Sequence, residues 1–194
     1  MTLFAAKLIW LFGVVAWFVM RQVLVRGSRR IKTRDKRIGW LEGVLLLASL
    51  LGLFVVPMIY VASGAPAFAN YAFHPALAWL GLLTFAASLW LLYRTHKDLG
   101  TNWSITLVVR EQHSLVTNGV YAHVRHPMYA AFWLWALAQF LLLPNWVAGA
   151  AGLVGFGVLF FGRVGAEEQM LVDHFGDDYR RYMARTARII PGLY

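Results

Sequence analysis

Five apolar stretches divide the chain, at Leu3 to Val25, Gly39 to Ala62, Ala76 to Tyr93, Met128 to Leu143 and Trp146 to Gly162, with polar segments between them. A helix needs about 20 residues to cross a bilayer, and about 17 at the least. The first two stretches exceed that length. The last two are short and joined only by Pro144 and Asn145, so they predict a tight helical hairpin whose flanking aromatic residues extend its usable length. The pattern predicts an all-α integral membrane protein with five spans. Residues 1–93 hold three of them around a basic loop, 26–38. Residues 94–194 hold a loop (94–127), the hairpin (128–162) and a C-terminal helix and tail (163–194).

Composition points the same way, because 60% hydrophobic and 14% charged residues lie far from what a soluble domain of 194 residues carries. The first stretch, interrupted only by Lys7 and Arg21, is too long for the core of a cleavable signal and lacks a basic leader, so a retained helix is expected. With no cysteine, the chain has no disulfide, thiolate metal site, cysteine nucleophile or thioether-linked lipid.

A net charge of +9 raises the question of nucleic acid, which the placement of the charges answers. Seven basic residues (Arg26, Arg29, Arg30, Lys32, Arg34, Lys36, Arg37) fill the first loop, whereas Ser63 to Pro75 and the Pro144 to Asn145 turn contain none. By the positive-inside rule the first loop is cytoplasmic, the N-terminus lies outside, and the 94–127 loop and everything after Gly162 share the cytoplasmic side. Of 18 lysines and arginines only Lys7 lies away from that side. The charge therefore reads as a topology signal and as contact with anionic lipids at the basic loop, without nucleic acid.

In the fifth span Ala148, Gly149, Gly152, Gly155 and Gly157 include the small-xxx-small pairs Ala148 with Gly152 and Ala151 with Gly155, which let helices approach closely in lipid. They do not spell a dinucleotide fingerprint and follow no strand.

The spans are nearly free of ionisable groups. Glu42 near a span entrance and His74 near an outer boundary read as interfacial, and the lack of charge at mid-depth argues against a proton-coupled transporter or channel. Polar residues gather instead in two cytoplasmic segments. The first holds His113-Ser-Leu-Val116, Asn118-Gly119-Val-Tyr121 and Arg125-His-Pro-Met-Tyr129. Asn118-Gly119 marks a tight turn, and Pro127 fits the first turn of the fourth span. His126 and Tyr129 then stand at a helix start whose free N–H groups favour an anion. In the second segment Arg163 and Glu167 lie four residues apart, on one helical face. On spacing alone, the simpler reading is an arginine snorkelling at a helix end beside a solvated glutamate.

The order of these pieces, continued by Glu168, Phe175-Gly-Asp-Asp-Tyr179, Tyr182 and Arg188 leading to Pro191, resembles the isoprenylcysteine carboxyl methyltransferase family over roughly residues 94–192. The resemblance implies methylation of a lipophilic acceptor by S-adenosylmethionine, most directly carboxyl O-methylation of an isoprenylcysteine-like small molecule entering from the bilayer. It implies that His113, Ser114, Leu115, Val116, Gly119, Tyr121, His126, Pro127, Met128 and Tyr129 line the cofactor site. It gives Glu167 a contact with the cofactor and turns Arg163 toward the acceptor. Glu168 leaves a one-residue ambiguity, which helical phase resolves in favour of Glu167. A lipid amine N-methyltransferase, a nicotinamide-dependent sterol or polyprenyl reductase and a non-enzymatic scaffold remain as alternatives.

Overall fold

The computed structural model describes residues 1–24, 33–36, 39–100, 108–110 and 115–193, and within them helices occupy all five apolar stretches. These are α1 (Leu3–Leu24), α2 (Trp40–Ser63), α3 (Pro75–Leu99), α4 (Pro127–Leu142) and α5 (Trp146–Phe175). Four are long and apolar enough to cross a membrane, and α4 is shorter at 16 residues. A polar helix, α6 (Asp177–Arg185), follows. Phe12, Leu83, Trp90, Val154 and Phe161 are each more than half exposed on the outside of the bundle. Apolar side chains turned outward on helices of this length make the chain a multi-pass integral membrane protein.

Two boundaries differ from expectation. Residues 94–99, expected in a loop, continue α3, and α5 runs through Gly162 without a break. Each helix stops at a glycine with positive φ, Gly100 (+56°) and Gly176 (+57°), a backbone shape that other residues resist. A short antiparallel ribbon also pairs β1 (Thr33–Lys36) with β2 (Val108–Arg110), joining the α1–α2 and α3–α4 connections. Strands of four and three residues give little periodicity, which is why the ribbon does not show in the sequence pattern. Arg26, Arg29, Arg30, Lys32 and Arg37 of the basic loop lie outside the described residues.

At the opposite end, Asn145 caps α5 by accepting from the Ala148 N–H at 2.9 Å, while its Nδ2 donates to Pro66 O and Asn70 Oδ1, both at 2.8 Å. The two loops without basic residues are thus tied together, as alternating crossings require.

Close packing of α5 on α2 follows from its small residues. A Cβ on Gly52 would lie 2.2 Å from Ala151 O, and one on Gly155 would lie 2.4 Å from Ala48 O. The Ala151/Gly155 pair therefore meets an Ala48/Gly52 pair within the chain. In α2 a π-helical turn, Leu51–Val55, makes the Val56 N–H donate to Leu51 O. In that register Pro57 has no N–H for Gly52 O. Gln139 of α4 supplies the missing donor, its Nε2 lying 3.0 Å from Gly52 O and 2.8 Å from Ala148 O. Beside it Trp135 packs edge-on against Trp17, Phe54 and Phe85, with ring centroids 4.9 to 5.7 Å away.

Candidate functional site

Two charged clusters form where α2, α4 and α5 end nearest the ribbon. Both depend on the start of α4. Pro127 occupies its first turn, and His126, just before it, has non-helical dihedrals (φ −124°, ψ 61°) that bring the chain in from the loop. The C-terminal tail lies alongside: Arg125 N–H donates to Ala187 O and His126 N–H to Arg188 O, each at 2.8 Å.

The first cluster centres on Glu168, which is 4% exposed. Arg125 Nε donates to its Oε1 at 3.1 Å, and Arg188 donates to its Oε2 from Nε at 3.0 Å and Nη2 at 2.8 Å. His126 Nε2 lies 3.3 Å from Oε1. Arg125 Nη1 also donates to the carbonyls of Met183 and Thr186. Two guanidinium groups and an imidazole thus surround one buried carboxylate and bind the tail to α5.

The second cluster centres on Arg163, 7% exposed. Its Nε lies 3.6 Å from Glu167 Oε2, the pairing expected from their spacing, and its Nη1 lies 3.5 Å from Glu42 Oε1. The Tyr129 hydroxyl donates to Glu167 Oε2, and the Tyr129 ring stacks on His126 with centroids 5.4 Å apart. His126 Nδ1 approaches Glu167 Oε1 at 4.0 Å, so the imidazole stands between the two clusters. Glu167 keeps 26% of its side-chain surface open. The adjacent glutamates accordingly face different partners: Glu168 is enclosed by arginines, whereas Glu167 shares a partly open face with Arg163 and Tyr129.

Of the other expected site residues, Tyr121 is buried and its carbonyl accepts from the Tyr182 hydroxyl at 2.6 Å. Burial, and then the negative charge of Glu167, hold the Tyr121 hydroxyl protonated well above the ordinary tyrosine range. Gly119 has the positive φ of the expected turn (+58°), and a Cβ there would lie 2.1 Å from Asp98 Oδ2. That same oxygen accepts from the Val120 N–H at 2.9 Å, so this glycine packs the turn onto α3. Leu115 and Val116 are half-buried at the edge of the loop, Pro127 is buried and Met128 packs on the core. His113 and Ser114 lie outside the described residues.

Two features escaped the sequence reading. Glu42, read as interfacial, is 5% exposed and faces Arg163. It is the one acidic residue of α2, and an acid in an apolar helix is itself a signal of a partner. The clamp around Glu168 left no such mark, because Arg125 and Arg188 come from distant segments.

The fold and the clusters define a class: a multi-pass helical membrane protein with a buried arginine held by carboxylates at one end of the bundle. The Isoprenylcysteine carboxyl methyltransferase (ICMT) family model matches residues 77–173, half of the chain, and the chain belongs to that family. A protein-S-isoprenylcysteine O-methyltransferase of Schizosaccharomyces pombe is 41% identical over 81 residues, covering 42% of this chain and 34% of that protein. The Homo sapiens protein of the same name is 33% identical over 81 residues, covering 42% and 28%. The chain thus spans about a third of the length of these two relatives. A solved structure of a eukaryotic intramembrane Ras methyltransferase ICMT superposes with a TM-score of 0.53 at 25% identity, covering 78% of this chain and 52% of that one.

Proposed function

We propose that the chain is an S-adenosylmethionine-dependent methyltransferase that esterifies the carboxylate of a lipophilic, isoprenylcysteine-like acceptor. The observation that carries the reading is Arg163. Its guanidinium has five donors, is almost wholly removed from water, and meets two carboxylates only at 3.5 and 3.6 Å, while its Nε makes no hydrogen bond. Donors left in that state favour one more anion, and a carboxylate offers two oxygens to a guanidinium fork. Membership of the family and the names of the relatives support the same acceptor class.

The residues present fit the cofactor. Glu167 keeps 26% of its side-chain surface open beside Arg163 and Tyr129, a carboxylate that a sulfonium could face. When bound, the cofactor supplies an electrophilic methyl group on a cationic sulfur. Arg163 would orient the acceptor carboxylate, and Glu167, held by the Tyr129 hydroxyl, would keep negative charge on the cofactor side. An ionised carboxylate needs no general base, so no side chain has to take a proton. An ammonium acceptor would instead be repelled by Arg163 and would need a base. Burial keeps water from Arg163 and Glu42, which favours a reaction in which opposite charges cancel.

In this reading the clusters and the ribbon face the cytoplasm, the N-terminus lies outside, and the basic first loop rests on anionic lipid. The acceptor would arrive sideways between helices, and Leu115, Val116 and Tyr121 would help to line the cofactor site. The test is calorimetry on detergent-purified protein with S-adenosylhomocysteine and, separately, NADPH. Binding of the first and not the second is expected; a folded protein that binds NADPH alone would overturn the reading in favour of a reductase.

A further inference from the structure

Gly176, with its positive φ, turns the chain from α5 into α6, where Tyr179 and Tyr182, three residues apart, share the buried face. Their rings meet edge to face with centroids 5.9 Å apart. The two hydroxyls differ. That of Tyr182 donates to Tyr121 O at 2.6 Å, whereas that of Tyr179, a residue only 2% exposed, has no hydrogen-bond partner among the described residues. Trp10 and Trp135 also bury an unpaired N–H, but within the apolar helices α1 and α4; Tyr179 lies outside the spans, on the helix that follows both site glutamates. A buried hydroxyl without an acceptor weakens the fold, so its retention calls for an explanation. Burial, and then the negative charges of Glu168 and Glu167, hold this hydroxyl protonated above the ordinary tyrosine range, against a smaller opposing effect of Arg125. It is a donor in the field of the site's charges and short of an acceptor.

Resting on the methyltransferase reading above, we infer that the Tyr179 hydroxyl is a further cofactor-binding group, donating to an oxygen or nitrogen of S-adenosylmethionine. The neighbouring hydroxyls of Tyr129 and Tyr182 are already committed, to Glu167 and to Tyr121 O. Tyr179 keeps its donor free while packing against Tyr182 holds its ring. A ligand atom that reaches it breaks no bond within the protein, so the new hydrogen bond counts fully toward affinity.

Tyr179→Phe separates this role from a structural one, because it deletes only the unpaired hydroxyl and keeps the buried ring. Without ligand, the detergent-purified variant should melt at the wild-type temperature or above it. Its affinity for S-adenosylhomocysteine, measured by calorimetry, should fall about two- to twelvefold, the worth of one hydrogen bond. Tyr182→Phe, which loses the bond to Tyr121 O, should instead melt lower without ligand. Unchanged affinity in Tyr179→Phe would overturn the inference, and so would a lower melting temperature of the ligand-free variant or its failure to fold, since the hydroxyl would then serve the fold. Wild-type protein that does not bind S-adenosylhomocysteine would defeat the methyltransferase reading, and this inference with it.

Discussion

Arg188 Nη2 lies 2.8 Å from Glu168 Oε2, which fastens the tail beyond α6 to the end of α5. Through Arg125 the same carboxylate reaches the start of α4, so one buried acid holds three segments at the candidate site. Removing one partner of a buried ion pair typically costs about 3 to 5 kcal/mol, because the others are left buried and unpaired. Glu168→Ala should therefore lower the melting temperature of the detergent-solubilised protein and weaken binding of both nucleosides together. Arg188→Ala should cost less, since its side chain is 31% exposed. Thermal-shift measurements on the two variants check the order.

Arg163 and Tyr129 should fail in different ways. Arg163→Ala removes the fork for the acceptor and should abolish turnover while S-adenosylhomocysteine binding survives. Tyr129→Phe deletes the hydroxyl that donates to Glu167 but keeps the ring on His126. It should weaken cofactor binding by roughly 0.5 to 3 kcal/mol, the range for a hydrogen bond to a neutral or charged group. Binding and turnover measured on both variants would reveal the reverse pattern if the roles are exchanged.

Packing between α2 and α5 yields a prediction independent of chemistry. Gly52→Ala would bring its Cβ to 2.2 Å from a backbone oxygen that cannot rotate away, forcing the helices apart at a cost of about 1 to 3 kcal/mol. Gly165→Ala meets nothing within 4 Å and should be neutral or slightly stabilising, because alanine is the better helix former. Melting temperatures of the pair compare a crowded glycine on α2 with an open one on α5.

Alkaline stability should depend on Tyr182, whose hydroxyl burial pushes up to about 12 while it donates to Tyr121 O. A pKa raised on folding gives stability that is complete below the unfolded value near 10 and is lost as pH rises through the folded value. Unfolding should thus become easier between about pH 10 and 12, and Tyr182→Phe should flatten part of that dependence at the expense of one hydrogen bond. Melting curves across that range read the effect.

Much of this was legible in the chain. Apolar length placed all five helices, and helical phase put Arg163 and Glu167 on one face, because both are local properties of a 3.6-residue repeat. Phase alone could not say what α5 faces. Glu42 therefore looked interfacial until α2, packed through Gly52 against α5, brought it to Arg163. The small residues of α5 were visible, but their counterparts Ala48 and Gly52 are separated from them by more of the chain than any local pattern spans. The ribbon was hidden for the opposite reason, being too short to show a period of two.

The most direct test of the account is transfer of a labelled methyl group from S-adenosylmethionine to a farnesylated cysteine derivative by the purified chain in detergent or lipid. The account predicts a labelled, base-labile methyl ester that disappears when the acceptor carboxylate is blocked as an amide. Label that resists base and sits on nitrogen, or no transfer from a protein that binds both reactants, would contradict it.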